Sequence, residues 1–212
     1  MPRSTKNTLS DLFVSQAMRR QVVKLVQETT IANSINALIK YKINALLTTD
    51  QAGQPIGVLS KTDIMSAYYA GIPIDSPVED IMSKPPLFCH ADDSIEHALK
   101  VMRSKGIYRL YVVDNTNNQV VGALAYPDIV GVLYQYCHNC EYSHLRRKGK
   151  AEADSIKRFL VKEIMTKDVK AVCKDEPLLQ AMEELSMYRF GAILVEDDDK
   201  NPCGVMSKTD LT

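Results

Sequence analysis

Three stretches of the chain place apolar residues at helical spacing. Ile31, Ile35, Leu38 and Ile39 form one stripe, Ile95, Ala98, Leu99 and Met102 a second, Leu178, Ala181, Met182 and Leu185 a third. Residues three and four apart share one face of an α-helix, so each stripe predicts a helix with one buried side. Asp93-x-x-Glu96 has the form of a capping pair before the second helix, and Pro177 suits the first turn of the third. A short apolar run follows each stripe, at residues 45–50, 109–114 and 192–196, and predicts a strand. Polar turns come next, at residues 51–54, 115–118 and 197–201. Each leads into a second strand, and second helices are predicted to begin at about Lys61 and Pro127.

These elements recur as a unit. Each copy opens on one turn with a terminal Met: Val14-Ser-Gln-Ala-Met18, Val78-Glu-Asp-Ile-Met82 and Val161-Lys-Glu-Ile-Met165. Each closes on a Gly-to-Asp phrase: Gly57-Val-Leu-Ser-Lys-Thr-Asp63, Gly122-Ala-Leu-Ala-Tyr-Pro-Asp128 and Gly204-Val-Met-Ser-Lys-Thr-Asp210. The interval from Met to Gly is 39 residues, then 40, then 39. Such matched spacing marks a repeated supersecondary unit. If the run after each Met is a short strand, the order is β-α-β-β-α, a mixed α/β class. The predicted organisation is a tail at 1–13, repeats at 14–74 and 75–136, a helical and basic insert at 137–160, and a third repeat at 161–212. After Asp210 only Leu211 and Thr212 remain, so the third repeat is expected to be cut short and to seek a partner surface, most simply a second copy.

Composition changes this picture little. The 212 residues are 45% hydrophobic, with 26 basic and 26 acidic side chains. A balanced charge gives no general reason to expect nucleic acid or a membrane surface as partner. The N-terminus lacks an apolar signal core, and five cysteines at irregular spacing do not resemble a disulfide framework. Cytoplasmic localisation is the expectation.

The phrase itself has chemistry. Ser60 ends a strand where a helix begins, so unpaired backbone N–H groups there would welcome an anion. Its hydroxyl can donate to a phosphate oxygen. Asp63 lies three residues on, and a carboxylate accepts the two hydrogen bonds of a ribose diol. Gly57 lets a backbone or a flat base come close. Ser207, Asp210 and Gly204 repeat this arrangement, and Lys61 and Lys208 belong to the same candidate set. The competing interpretation is a capping box, with Ser60 and Asp63 satisfying each other's backbone donors. In the middle copy Ala125 replaces the serine and Pro127 removes an N–H, so capping is expected to be spoiled while Asp128 remains.

The repeated opening Met, the paired strands and the G-x-x-S-x-x-D phrase resemble the cystathionine beta-synthase (CBS) domain family, from Val14 onward. The resemblance implies that two repeats form a Bateman module with clefts between them. It implies adenosine nucleotides (AMP, ADP or ATP) as ligands and a regulatory rather than catalytic role, acting on an unidentified effector. It also implies that Arg109 reaches the phosphate; the aligned positions elsewhere are Ala45 and Gly191. Val22, Pro86, Leu87 and Val169 would lie against the base.

Cys137, Cys140 and His144 would share one helix face and could supply three zinc ligands. The alternative is a helix whose cysteines pack against apolar neighbours. Arg146 to Lys150 is a short basic run best suited to a solvated face. No nucleophile with a partnering base and no P-loop can be assembled from spacing. The expected function is therefore nucleotide sensing, the alternatives being a ligand-free dimerisation scaffold or a metal- or redox-responsive switch.

Overall fold

The computed structural model describes residues 11–139, 160–188 and 190–211. The chain divides into two compact units, Met1–Val22 with Leu87–Phe159 and Val23–Pro86 with Leu160–Thr212.

In unit 1, α1 (Val14–Ala17) precedes β4 (Phe88–His90), α4 (Ile95–Lys105), β5 (Arg109–Val113), β6 (Val120–Ala125) and α5 (Tyr126–Asn139). β4 pairs parallel with β5, and β5 antiparallel with β6. The second stripe is buried as its periodicity requires, since Ile95, Ala98, Leu99 and Met102 all enter the core. The cap differs from expectation. Ser94 accepts the His97 N–H at 3.1 Å, while the Asp93 carboxylate turns back to the His90 N–H at 2.8 Å. Serine wins because its short hydroxyl reaches the third N–H directly. Gly106 ends the helix at φ 62°, a left-handed conformation that glycine adopts without strain.

Unit 2 holds two copies of the same plan. The first has β1 (Lys24–Val26), α2 (Ile31–Tyr41), β2 (Ala45–Thr49), β3 (Pro55–Ser60) and α3 (Lys61–Tyr69). The second has α6 (Val161–Ile164), β7 (Ala171–Cys173), α7 (Leu178–Met187), β8 (Ala192–Glu196) and β9 (Pro202–Ser207). Both sheets repeat the parallel-then-antiparallel order, and all three sheets of the chain carry an irregularity at the same rung, after Thr48, Val112 and Val195. The expected mixed β-α-β-β-α unit is complete in repeats one and two, and the third shows β-α-β-β among the described residues. Ala181, Met182 and Leu185 of the third stripe are buried on Met65 of α3, in a cluster with Val172 and Ile193, while Leu178 stays exposed, contrary to its place in the stripe. The Ser66 and Ser186 hydroxyls meet at 3.0 Å along that contact. The third repeat thus finds apolar cover within its own chain.

The opening turns change places. The turn of repeat one closes on the sheet of repeat two, where Arg19 and Ala123 exchange N–H···O bonds of 2.9 Å each. The turn of repeat two, a 3-10 turn at Val78–Asp80, closes on the sheet of repeat one, where Ser83 and Val58 exchange another 2.9 Å pair. Val14 and Val78 are fully buried by this exchange. The third turn is different, with Val161 76% and Met165 51% exposed.

Candidate functional site

The start of α3 is built by Ser60, whose extended backbone (φ −118°, ψ 165°) turns the chain out of β3. Its N–H and Oγ both donate to Asp63 Oδ2, at 2.7 and 2.6 Å. The Asp63 N–H returns to Ser60 Oγ at 3.4 Å, and the Lys61 N–H is taken by the Asn44 carbonyl at 3.1 Å. The N–H groups of Ser60, Lys61 and Asp63 therefore have partners, contrary to the expectation of unpaired donors at this turn. A capping box forms because a three-residue spacing brings carboxylate and N-cap together over one turn. Ser83, from the exchanged turn, adds a donor to Asp63 Oδ1 at 3.1 Å.

The third copy repeats the inner half of this geometry. The Ser207 N–H and Oγ each donate to Asp210 Oδ2 at 2.7 Å. The Ser207 hydroxyl first, then its N–H, with Lys61 adding positive charge, holds the Asp210 carboxyl below the usual aspartate range.

The middle copy corrects a sequence inference. Loss of serine does not spoil the cap, because the Ala125 N–H still donates to Asp128 Oδ2 at 2.9 Å. That half of the box needs only a backbone donor, and the N–H removed by Pro127 is not the one used. Oδ1 is taken by Arg19 Nε at 2.5 Å, from the residue that corresponds to Ser83. The Asp128 side chain is 7% exposed and that of Arg19 66%, so one partner of the pair is buried and the other wet.

The glycines allow a close approach, as expected of Gly57, and the neighbour is another part of the chain. A β-carbon at Gly57 would lie 2.5 Å from the Met82 sulfur and 2.8 Å from Thr48 Oγ1. The Thr48 hydroxyl itself donates to that sulfur at 2.8 Å. A β-carbon at Gly122 would lie 2.9 Å from both the Met18 sulfur and the Arg19 carbonyl. What comes close at these two glycines is the exchanged opening turn. At Gly204 the nearest atom would be Val195 Cβ, at 3.9 Å.

The duplicated phrase meets itself in unit 2. Lys61 Nζ reaches Thr209 Oγ1 at 3.5 Å, and Lys208 Nζ reaches Thr62 Oγ1 at 2.9 Å. Each copy supplies the lysine and the threonine that the other needs, which gives Ser-Lys-Thr-Asp a structural reason to occur twice.

Arg109 opens β5 directly across from Ala125, next to the Asp128 turn. The same rung holds Ala45 opposite Ser60 and Ala192 opposite Ser207, so Ala192, not Gly191, is the true counterpart. Burial pushes the neighbouring Tyr111 phenol up to about 12, with the Arg109 charge acting in the opposite direction. Val22 and Leu87 belong to unit 1 and are half-buried. Pro86 is buried at the end of the first segment of unit 2, and Val169 is exposed ahead of β7. Cys140 and His144 lie outside the described residues, as does the side chain of Cys137. Arg19, Ser83 and the three opening methionines are the residues that sequence reasoning did not assign to any site.

Three tandem sheet-and-helix repeats, each with an aspartate folded back on the end of its last strand, define the class of fold. Residues 14–70, 78–135 and 161–212 match the family model of the CBS domain, and the chain belongs to that family. It is similar to L-aspartate semialdehyde sulfurtransferase of Methanocaldococcus jannaschii, 28% identical over 143 residues, covering 66% of this chain and 24% of that protein. The chain thus matches about a quarter of that relative's length. A crystal structure of another Methanocaldococcus jannaschii protein superposes with a TM-score of 0.76 at 15% identity, covering 94% of this chain and 70% of that one. A CBS domain pair crystallised with 5′-methylthioadenosine and S-adenosyl-L-methionine gives a TM-score of 0.52 at 25% identity, covering 57% of this chain and 98% of that one. Among the described residues, no helix is long and apolar enough to cross a membrane.

Proposed function

We propose that the chain is a regulatory module that senses adenosine nucleotides (AMP, ADP or ATP) and has no catalysis of its own. The observation that carries this reading is the aspartate repeated just after the last strand of all three repeats of a CBS fold, at a helix start in the first two. A solved CBS pair with adenosine-based ligands supports it. A ribose diol would donate to the carboxylates of Asp63, Asp128 and Asp210, and Arg109 would hold phosphate beside Asp128. Ser60, Lys61, Ser207 and Lys208 line the same turns, with Val22, Pro86, Leu87 and Val169 as the apolar candidates.

The contacts of these carboxylates supply a route for signalling. Oδ1 of Asp63 is held by Ser83, and Oδ1 of Asp128 by Arg19. Both donors sit on an opening turn that comes from a different repeat. A ribose that takes either oxygen releases that turn, so binding energy is converted into a change of packing that an effector protein can read. The setting is the cytoplasm, without nucleic acid or membrane as partner.

A second reading follows from the same caps. Ser60 with Asp63 and Ser207 with Asp210 are satisfied without any ligand, which suits an interaction scaffold. Calorimetric titration with AMP, ATP, adenosine, S-adenosylmethionine and GMP separates the two. Saturable binding of the adenine compounds, and not of GMP, is expected. No heat from any of them leaves the scaffold.

A further inference from the structure

The middle repeat differs from the other two on two rungs of its antiparallel strand pair. Arg109 of β5 stands across from Ala125 of β6, and Tyr111 across from Ala123. The same rungs hold Ala45 with Ser60 and Leu47 with Val58 in the first repeat, and Ala192 with Ser207 and Leu194 with Val205 in the third. Long polar side chains facing two alanines are therefore confined to the middle copy. Side chains two apart lie on one face of a strand, about 7 Å from each other, so Arg109 and Tyr111 share a face. The helical core of unit 1 takes Leu110 and Val112 from the opposite face and leaves Tyr111 out. Tyr111 is nonetheless only 2% exposed, and its hydroxyl has no hydrogen-bond partner among the described residues. Burial disfavours the phenolate and the nearby Arg109 charge favours it, though no hydrogen bond of good geometry joins the two. A buried hydroxyl without a partner leaves its desolvation cost uncompensated. Leu47 and Leu194 fill the rung without that cost, so the fold does not require a hydroxyl there.

We propose that the Tyr111 hydroxyl is a phosphate donor that works with Arg109 and makes the middle copy select a nucleotide over the corresponding nucleoside. The inference rests on the nucleotide reading of the same turn and adds a specificity residue to it. Asp128 accepts hydrogen bonds, so it suits the ribose hydroxyls. Tyr111 has a proton to give and no acceptor for it, and the guanidinium beside it favours an anion. A phosphate oxygen satisfies the phenol O–H and the guanidinium together, in the short O–H···O⁻ bond that a charged acceptor makes. A nucleobase carbonyl or ring nitrogen would satisfy the phenol and bring no charge to Arg109. The first and third repeats, with Leu47 and Leu194 on this rung, lack the donor.

Calorimetric titration with AMP and with adenosine, on the unsubstituted chain, Tyr111→Phe and Tyr111→Leu, tests it. Phenylalanine keeps the ring, and leucine is the residue on this rung in the other two repeats. Both variants should lose about tenfold or more in AMP affinity at this site, with adenosine unchanged. The melting temperature of Tyr111→Phe without ligand should be no lower than that of the unsubstituted chain, because the hydroxyl has no internal bond to lose. The ring NMR signal that disappears in Tyr111→Phe should shift on adding AMP far more than on adding adenosine, which assigns the effect to this residue. Unchanged AMP affinity in both variants overturns the proposal. So does an equal loss for adenosine, or a lowered melting temperature in Tyr111→Phe, which would give the hydroxyl a structural role. An unsubstituted chain that binds neither compound removes the nucleotide reading and this inference with it, whereas AMP binding indifferent to Tyr111 removes this inference alone.

Discussion

Asp128 in unit 1 and Asp63 in unit 2 occupy matching positions and are held by different donors. Arg19 pairs with Asp128 at 2.5 Å, a charged contact to a side chain only 7% exposed. Ser83 gives Asp63 a neutral hydrogen bond of 3.1 Å. The backbone joint beneath is the same in both, so the difference lies in one side chain placed after the opening Met. On the proposed function, a ligand at Asp128 would have to displace a guanidinium, and one at Asp63 a hydroxyl. Under that function, the two units are expected to respond at different ligand concentrations. The third copy extends the series, because among the described residues its turn has no such strand bridge and Asp210 has the serine cap without a donor from another turn.

The docked and undocked turns can be set against each other by truncation. Met82 is buried over Gly57, and Met82→Ala should cost about 2–5 kcal/mol, the usual range for emptying a packed site. Met165→Ala, at an exposed position, should change the stability of a single chain by less than about 0.5 kcal/mol. Urea titration of dilute protein reads both, and equal losses would remove the distinction.

Arg109 separates the units by ligand instead of by fold. Only the middle copy has a cation on that rung, the others having Ala45 and Ala192. Arg109→Ala should weaken AMP by about 1.5–3 kcal/mol, the worth of a hydrogen bond to a charged group, with adenosine much less affected. Equal losses for the two ligands would end the phosphate assignment.

A third comparison uses the glycines. Gly57→Ala and Gly122→Ala place a β-carbon within 3 Å of the exchanged turn and should each cost about 1–3 kcal/mol by overpacking. Gly204→Ala should be silent in a single chain. Thermal melts of the three variants in parallel give the result, and a costly Gly204→Ala would mean that a neighbour already packs over that glycine.

The smallest effect concerns titration. The Ser207 hydroxyl is the leading cause of the low Asp210 pKa, so Ser207→Ala should move it up toward the ordinary aspartate value. Because the folded value lies below the unfolded one, the cap stabilises fully above the unfolded pKa and is lost as pH falls through the folded pKa. Carboxylate chemical shifts followed through acid titration check the direction, and an unmoved pKa would contradict the cause given.

Much of this fold can be read in the sequence because the signals are local. The stripe at Ile95, Ala98, Leu99 and Met102 is a helix with that face buried, and the second helices begin at Lys61 and Tyr126, close to the expected positions. The exchange of turns could not be read there. A constant Met-to-Gly interval shows that a unit repeats, but not that Met82 sits on Gly57 while Met18 sits on Gly122. That choice is made by long-range packing, in which spacing plays no part. The pairing of Lys208 with Thr62 is hidden for the same reason. Its one visible trace is that the phrase is preserved beyond what a cap requires, as capping explains the serine and aspartate but not the lysine and threonine. The Asp128 cap persists without a serine because the carboxylate half of a capping box needs only a backbone N–H, which the residue type at 125 does not reveal.

The claim that a ligand and the chain compete for the same carboxylate is tested most directly by AMP affinity in four proteins: unsubstituted, Asp63→Ala, Ser83→Ala and Ser60→Ala. Asp63→Ala should weaken binding at the unit 2 site by about tenfold or more, since it removes a charged acceptor worth about 1.5–3 kcal/mol. Ser83→Ala, which frees Oδ1, should bind AMP several-fold more tightly. Ser60→Ala reports the cost of cap loss with the carboxylate retained. One affinity shared by all four proteins, or a loss in Ser83→Ala as large as that in Asp63→Ala, would show that Asp63 is a cap and nothing more.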